Sequence, residues 1–158
     1  MSKDSFRLVP VTAELTEVVP AFMRMGRSYL QEMGCDTPDT AEKFLLSILR
    51  KQGEPDRWLL MLEHDGCFIG FVHAKIDRVQ RSGRGYVMEF YNVPECRRRG
   101  WGSRTFNHVS ALLQHRGVSR VWLTSHRMSE SFWMAMGFAA TGEEEQGRRV
   151  FAAATVWR

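Results

Sequence analysis

Apolar residues recur along the chain at two different spacings, and the switches between them set the expected element order. Residues 5–10, SFRLVP, predict a short first strand. Leu15, Val18, Val19, Phe22, Leu30 and Met33 then return at helical spacing, as one stripe of a helix. Thr12 is placed to cap that helix, and Pro20 to kink or interrupt it. Thr37-Pro38 predicts a second helix with proline at its first position, carrying Phe44, Leu45, Ile48 and Leu49 and stopping near Gly53 and Pro55. The period then becomes that of strands. RWLLMLEHDGCFIGFVHAKI is two apolar runs around Asp65-Gly66, a hairpin signal. After the basic turn DRVQRSGRG, YVMEFYNV (86–93) predicts the third strand of a meander. A helix over about 102–116 follows, with Gly102, Phe106, Val109 and Leu113 inward and Gly117 at its end. A strand (118–125), a short helix (129–136) closed by Gly137, and a last pair of strands in FAATGEE and RRVFAAATVW complete the chain.

The resulting order is β-α-α-β-β-β-α-β-α-β-β, with no linker, internal repeat or low-complexity segment, and it predicts one mixed α/β (α+β) domain over residues 5–158. The 158 residues suffice for a core. A composition of 44% hydrophobic and 25% charged residues excludes a disordered chain. No apolar run approaches the roughly 18–20 residues that span a bilayer, and MSKDSFRLVP has no apolar h-region, so neither a membrane span nor a signal peptide is expected. Cys35, Cys67 and Cys96 are odd in number and widely spaced, which predicts free thiols in a reducing cytoplasm. His64, His73, His108 and His115 have no metal-ligand spacing with carboxylates or cysteines, so no metal is expected.

Charge changes this picture at one place. Residues 78–104 carry seven arginines against two glutamates, a net +5 where the whole chain carries +4. The excess surrounds ECRRRGWGSR (95–104), which falls between a predicted strand and a predicted helix. A helix N-terminus offers unpaired N–H groups and partial positive charge. Gly100 and Gly102 would let an anion approach them, so the segment predicts a phosphate or pyrophosphate site. It is not a Walker A loop, because Ser-Arg follows Gly102. Nor is it a dinucleotide fingerprint, because position 105 is threonine. Arginine beside tryptophan also allows single-stranded nucleic acid, but no nucleic-acid module surrounds the short cluster, and nucleic acid is not the expected partner. A basic surface turn is the remaining alternative.

RRRGWG (97–102) resembles the Q/R-x-x-G-x-G/A motif of the GNAT superfamily of acetyl-CoA-dependent N-acetyltransferases. VMEFYNVPECRRRGWGSRTFNHV is similar to that family's fourth strand, pyrophosphate loop and third helix. FWMAMGF (132–138) resembles its aromatic four residues before Gly-Phe, and the element order matches over nearly the whole chain. The resemblance implies the acyl-CoA N-acyltransferase (GNAT) fold, a central, mostly antiparallel sheet with helices on both faces. It implies acetyl-CoA as cosubstrate and an amine of a small molecule, peptide or protein as acceptor, in a monomer or homodimer. It places the pyrophosphate on Arg97, Arg98, Arg99, Gly100, Trp101, Gly102 and Ser103. It places the pantetheine arm and thioester carbonyl on the backbone of Phe90, Tyr91 and Asn92, where relatives usually have an apolar residue at the position of Asn92.

The implied reaction is direct attack of a neutral amine on the thioester. An alkyl amine with a reference pKa near ~10.4 is mostly protonated at neutral pH, so a base is needed. Glu89, the carboxylate inside the predicted fourth strand, is the candidate base through a water; the alternative is a structural carboxylate paired to an arginine. The family's thiolate-protonating tyrosine is replaced by Trp133, whose indole donates but is no practical acid. Tyr91, Ser129 or a water is left to donate, with Trp133 packing on the pantetheine or in the core. His126 stands where an asparagine often contacts the cofactor. Cys96 beside three arginines is a conceivable nucleophile, but this chemistry normally forms no acyl-enzyme, so that role is not expected. GEEEQGRR (142–149) reads as a polar hairpin turn, either a solvated loop or three acids that meet a cationic acceptor. A non-catalytic acyl-CoA-binding sensor is the competing function, and a nucleic-acid module the more distant one.

Overall fold

The structure is a computed structural model that describes residues 5–12, 17–35 and 37–155. Its elements run β1 (Phe6–Pro10), α1 (Val18–Glu32), α2 (Pro38–Arg50), β2 (Arg57–His64), β3 (Cys67–Ile76), β4 (Gly85–Asn92), α3 (Trp101–His115), β5 (Arg120–Ser125), α4 (Glu130–Ala135), β6 (Ala139–Glu145) and β7 (Arg148–Ala154). The strands form one sheet in the order β1-β2-β3-β4-β5-β7-β6. β1/β2, β5/β7 and β6/β7 pair antiparallel, while β4/β5 pair parallel through Gly85↔Val121 and Tyr86↔Trp122. The expected mixed sheet and element order are both present.

The chain divides into two compact units. Met1–His73 with Glu89–Trp101 make the first, and Ala74–Met88 with Gly102–Arg158 the second. In the first unit, Thr37 caps α2 by accepting the N–H of Thr40 at 3.2 Å, ahead of Pro38. Asp65 and Gly66 both take positive φ, 49° and 81°, as a two-residue turn between β2 and β3 requires. Two expectations for α1 are corrected. Its N-cap is Glu17, so Thr12 lies too far upstream to cap it. Pro20 falls in the first turn, where the missing N–H has no acceptor in any case, and α1 continues through it to Glu32. Leu15 lies outside the described residues. Gly26 brings α1 against α2: a Cβ there would sit 2.4 Å from Leu45 Cδ2. The core of this unit gathers Phe22, Leu45, Ile48, Leu59, Met61, Phe71 and Tyr91, with Phe22 and Phe71 edge to face at 5.2 Å.

In the second unit, Trp122 is fully buried, with Tyr86 stacked on it at 3.8 Å and the Arg81 guanidinium over its ring at 4.1 Å. GEEEQGRR forms the expected polar hairpin, and its residues on β6 are mostly exposed. Its turn is only Gln146-Gly147, both at positive φ, and the acids belong to β6. Glu143 and Glu145 both bind Arg81 Nη2, the latter at 3.2 Å. The last strand ends at Ala154; Val156 and Trp157, expected in it, lie outside the described residues.

Asp77 organises the turn after β3. Its carboxylate accepts the N–H groups of Val79, Gln80 and Arg81 at 2.8–3.2 Å. Burial alone would push this carboxyl up; the three backbone donors and the charge of Lys75 outweigh it, and it lies below the ordinary aspartate value. A depressed folded-state value means stability that is complete above the unfolded value of ~3.9 and lost as pH falls through the folded one. Asp77→Asn should therefore lower unfolding stability near neutral pH by roughly 1–3 kcal/mol. It should also flatten the stability curve below about pH 4, as followed by urea unfolding at stepped pH.

Candidate active site

The first unit holds most of the chemistry expected from the sequence. Side chains alternate faces along a strand, and the contacts of β4 fix which is which. Glu89 meets His73, and Tyr91 meets Phe71 with ring centroids 5.9 Å apart, so Glu89 and Tyr91 share one face of β4. Asn92 takes the other. Its Oδ1 is buried without a hydrogen-bond partner and lies beside Gly70 of β3.

Glu89 is nearly enclosed, its side chain 12% exposed. Its Oε2 lies 2.5 Å from His73 Nδ1, and the opposite ring nitrogen, Nε2, lies 2.9 Å from Arg57 Nη1. The partner of Glu89 is thus a histidine, not the arginine that its structural alternative required. Its Oε1 has no protein partner among the described residues. His73 and Arg57 were not expected at the site. The signal was a histidine inside the otherwise apolar run FIGFVHA, a polar group that a buried strand must satisfy.

Tyr91 is 4% exposed and faces a cleft of about 470 Å³ lined by Ser28, Gln31, Glu32, Val93, Pro94 and Glu95. Burial, then the charge of Glu32, pushes its phenol up from the ordinary value, with Arg97 acting weakly the other way. The phenol therefore holds its proton well past neutral pH. It can donate a hydrogen bond to a thiolate, but it cannot pass its proton downhill to a thiolate whose acid has a pKa near ~8.5.

The basic segment is less uniform than its sequence. Arg97 does not extend outward: its Nη2 binds Glu32 Oε2 at 2.7 Å and its Nε donates to the Asn92 carbonyl at 2.9 Å. The Glu32 bond holds its guanidinium above the ordinary value. Trp101 is not within the turn but is the first residue of α3, with its ring stacked on Phe6 at 5.5 Å and against His64 at 4.2 Å. Arg98 and Arg99 are exposed. Arg98 and Gly100 adopt positive φ, 63° and 83°, and a Cβ on Gly100 would meet nothing within 4 Å. Among the described residues, Arg98, Arg99 and Gly100 donate no backbone–backbone hydrogen bond.

Three candidates fall in the second unit. Ser103 Oγ lies 3.1 Å from Met136 Sδ. His126 caps the turn at Arg127–Ser129, its Nδ1 accepting the N–H of Met128 at 3.3 Å, which leaves the hydrogen on Nε2. Trp133, 6% exposed, packs with Phe106, Phe132 and Phe138 at 5.0–6.4 Å, so it is built into the core. No cluster of three His, Cys, Asp or Glu side chains suited to a metal occurs among the described residues.

Residues 22–138 match the family model for the acetyltransferase (GNAT) family, and the chain belongs to that family. It is an N-acetyltransferase that uses acetyl-CoA. No curated protein sequence matches it. Its fold is that of the PaiA N-acetyltransferase from Thermoplasma acidophilum, solved in complex with coenzyme A (TM-score 0.75, 17% identity, 95% of this chain and 99% of that one). An acetyltransferase from Thermus thermophilus (TM-score 0.76, 19% identity, 95% and 97%) has the same fold. So does the ribosomal-protein-S18-alanine N-acetyltransferase from Escherichia coli (TM-score 0.67, 16% identity, 98% and 96%). No helix among the described residues is long and apolar enough to cross a membrane.

Gly70 sets the position of this stretch of β4. A Cβ there would lie 2.2 Å from the Tyr91 carbonyl oxygen and 2.7 Å from Asn92 Oδ1. Gly70→Ala should displace the Tyr91–Asn92 backbone, costing roughly 1–3 kcal/mol of stability and lowering acetyl-CoA turnover. Denaturant unfolding and a thiol-release assay on the same preparation check both effects.

Proposed function

We propose that this enzyme acetylates a primary amine of a small molecule, peptide or protein by direct attack on the thioester of acetyl-CoA, with Glu89 as the base. The observation that carries the reading is the setting of Glu89. It is a nearly buried carboxylate with one oxygen held by His73 and the other without a protein partner, on the same face of β4 as Tyr91. A carboxylate in that state accepts a proton through a water and releases the amine for attack. Tyr91, with its phenol held protonated, stands two residues along the strand as a hydrogen-bond donor to the departing thiolate. One of the two protons still on the attacking nitrogen then neutralises that thiolate, and the other stays as the amide N–H. Trp133 has no part in the proton transfers. Glu95 in the cleft beside Tyr91 suits a cationic acceptor, while Glu32 there is already paired with Arg97.

Coenzyme A is proposed to lie with its pyrophosphate on residues 97–103. The positive φ of Arg98 and Gly100, the open space at Gly100 and the unengaged amides of Arg98, Arg99 and Gly100 all suit a diphosphate at the start of α3. Arg98 and Arg99 supply charge; Arg97 instead braces Asn92 and Glu32. Phe90, Tyr91 and Asn92 offer the backbone for the pantetheine arm, and Ser103 and His126 remain candidate contacts. The three free thiols are consistent with a reducing compartment.

Two substitutions test this reading with acetyl-CoA and a panel of amines. Glu89→Gln should lower turnover by about 10²-fold or more and make the remaining rate rise more steeply toward high pH, with CoA affinity held. Rates unchanged across pH would remove Glu89 from the mechanism. Gly102→Asp should abolish CoA binding in calorimetry, because a side chain and a negative charge enter the segment. Retained affinity would mean the pyrophosphate lies elsewhere.

A further inference from the structure

A buried imidazole between an arginine and a carboxylate admits one arrangement of protons. A guanidinium only donates, so His73 Nε2, 2.9 Å from Arg57 Nη1, carries the lone pair. The ring hydrogen is then on Nδ1, aimed at Glu89 Oε2 at 2.5 Å. Arg57 is braced in turn by Glu54, its Nε donating to Oε2 at 3.1 Å. His73 is 2% exposed, and both ring nitrogens are satisfied, as such burial demands.

His73 is therefore not the base. The lone pair that would take a proton is occupied by Arg57, and the ring is closed to substrate. We propose that His73 is the positioning residue for Glu89: it holds Oε2 through a tautomer fixed by Arg57, so that Oε1 is the oxygen that receives the proton. This rests on the reading of Glu89 as the base.

The proton inventory closes. An ammonium acceptor gives one proton, through water, to Oε1. The neutral nitrogen attacks the thioester carbonyl; the C–N bond forms and the C–S bond breaks. Of the two protons left on nitrogen, one passes to the thiolate and one stays as the amide N–H, and Glu89 releases its own to solvent. His73 takes no part in these transfers, its Nε2 lone pair being engaged by Arg57. The groups facing the pair are Arg57 from β2, backed by Glu54, and Tyr91 on the same face of β4.

The test combines a spectrum and a pH profile on the intact enzyme. Nitrogen-15 NMR of the imidazoles, with His73 assigned by substitution, should show the Nδ1–H tautomer from pH 6 to 8. An Nε2–H tautomer or an imidazolium there would overturn the proposal. In kinetics, His73→Leu should lower kcat roughly tenfold or more at unchanged acetyl-CoA KM. It should also move the acid limb of the kcat profile to higher pH, since a lost donor makes the carboxylate easier to protonate. His73→Asn, which can still donate to Oε2, should restore the limb. Arg57→Met keeps the imidazole but frees its tautomer and should shift the limb in the same direction, which covers the case in which His73→Leu does not fold. If Glu89→Gln replaces the limb with the steeper rise toward high pH while the His73 and Arg57 variants leave it in place, the positioning role is wrong and the base stands. If Glu89→Gln changes nothing, the base reading fails and the positioning role falls with it.

Discussion

The arrangement on β4 depends on holding a carboxylate out of bulk water without neutralising it. A carboxylate in an apolar setting is costly unless donors meet it, and here one donor, the Nδ1–H of His73, meets one oxygen. The histidine incurs the same cost and is satisfied by Arg57, which is tied to Glu54 at the exposed end. The chain of contacts runs across β2, β3 and β4, so the register of three strands and the chemistry of Glu89 are one constraint. Gly70 belongs to it as well. Without a Cβ, β3 can press against the Tyr91 carbonyl while His73, three residues on, reaches Glu89.

The same economy runs through the basic segment. Three consecutive arginines look equivalent in sequence, yet Arg97 is turned back to Asn92 and Glu32, where it ties the loop after β4 to α1. Arg98 and Arg99 remain exposed. Structure and charge are divided among neighbouring residues: one arginine shapes the segment, and two stay exposed. Trp101 contributes in the structural sense too, packing its ring on Phe6 and His64 and fixing where α3 begins.

Features with local causes were legible in the sequence. Thr37-Pro38 announced α2, Asp65-Gly66 announced the turn of β2 and β3, and RRRGWG together with FWMAMGF announced the family. Pro20 was misread because proline's effect depends on where the helix starts, and the first turn tolerates it. GEEEQGRR was legible as a hairpin but not in its contacts. Its partner, Arg81, lies about sixty residues away in sequence, and nothing in eight polar residues reports that Glu143 and Glu145 will pair with it. The neighbours of Glu89 were hidden likewise: Arg57, His73 and Glu89 are each 16 residues from the next, and only the strand register brings them together. The position of Trp133 was legible, its role less so. The aromatic cluster with Phe106, Phe132 and Phe138 explains why a large ring is kept where a proton donor would otherwise stand.

The central claim is that the carboxylate of Glu89 is the group whose ionisation limits acetyl transfer. The direct measurement is the carbon-13 shift of its side-chain carboxyl as a function of pH in the CoA-bound enzyme, set beside the kcat profile with a saturating amine. The account predicts that the carboxyl titrates with the same midpoint as the acid limb of kcat. A Glu89 that stays ionised while the rate falls through that limb would contradict it.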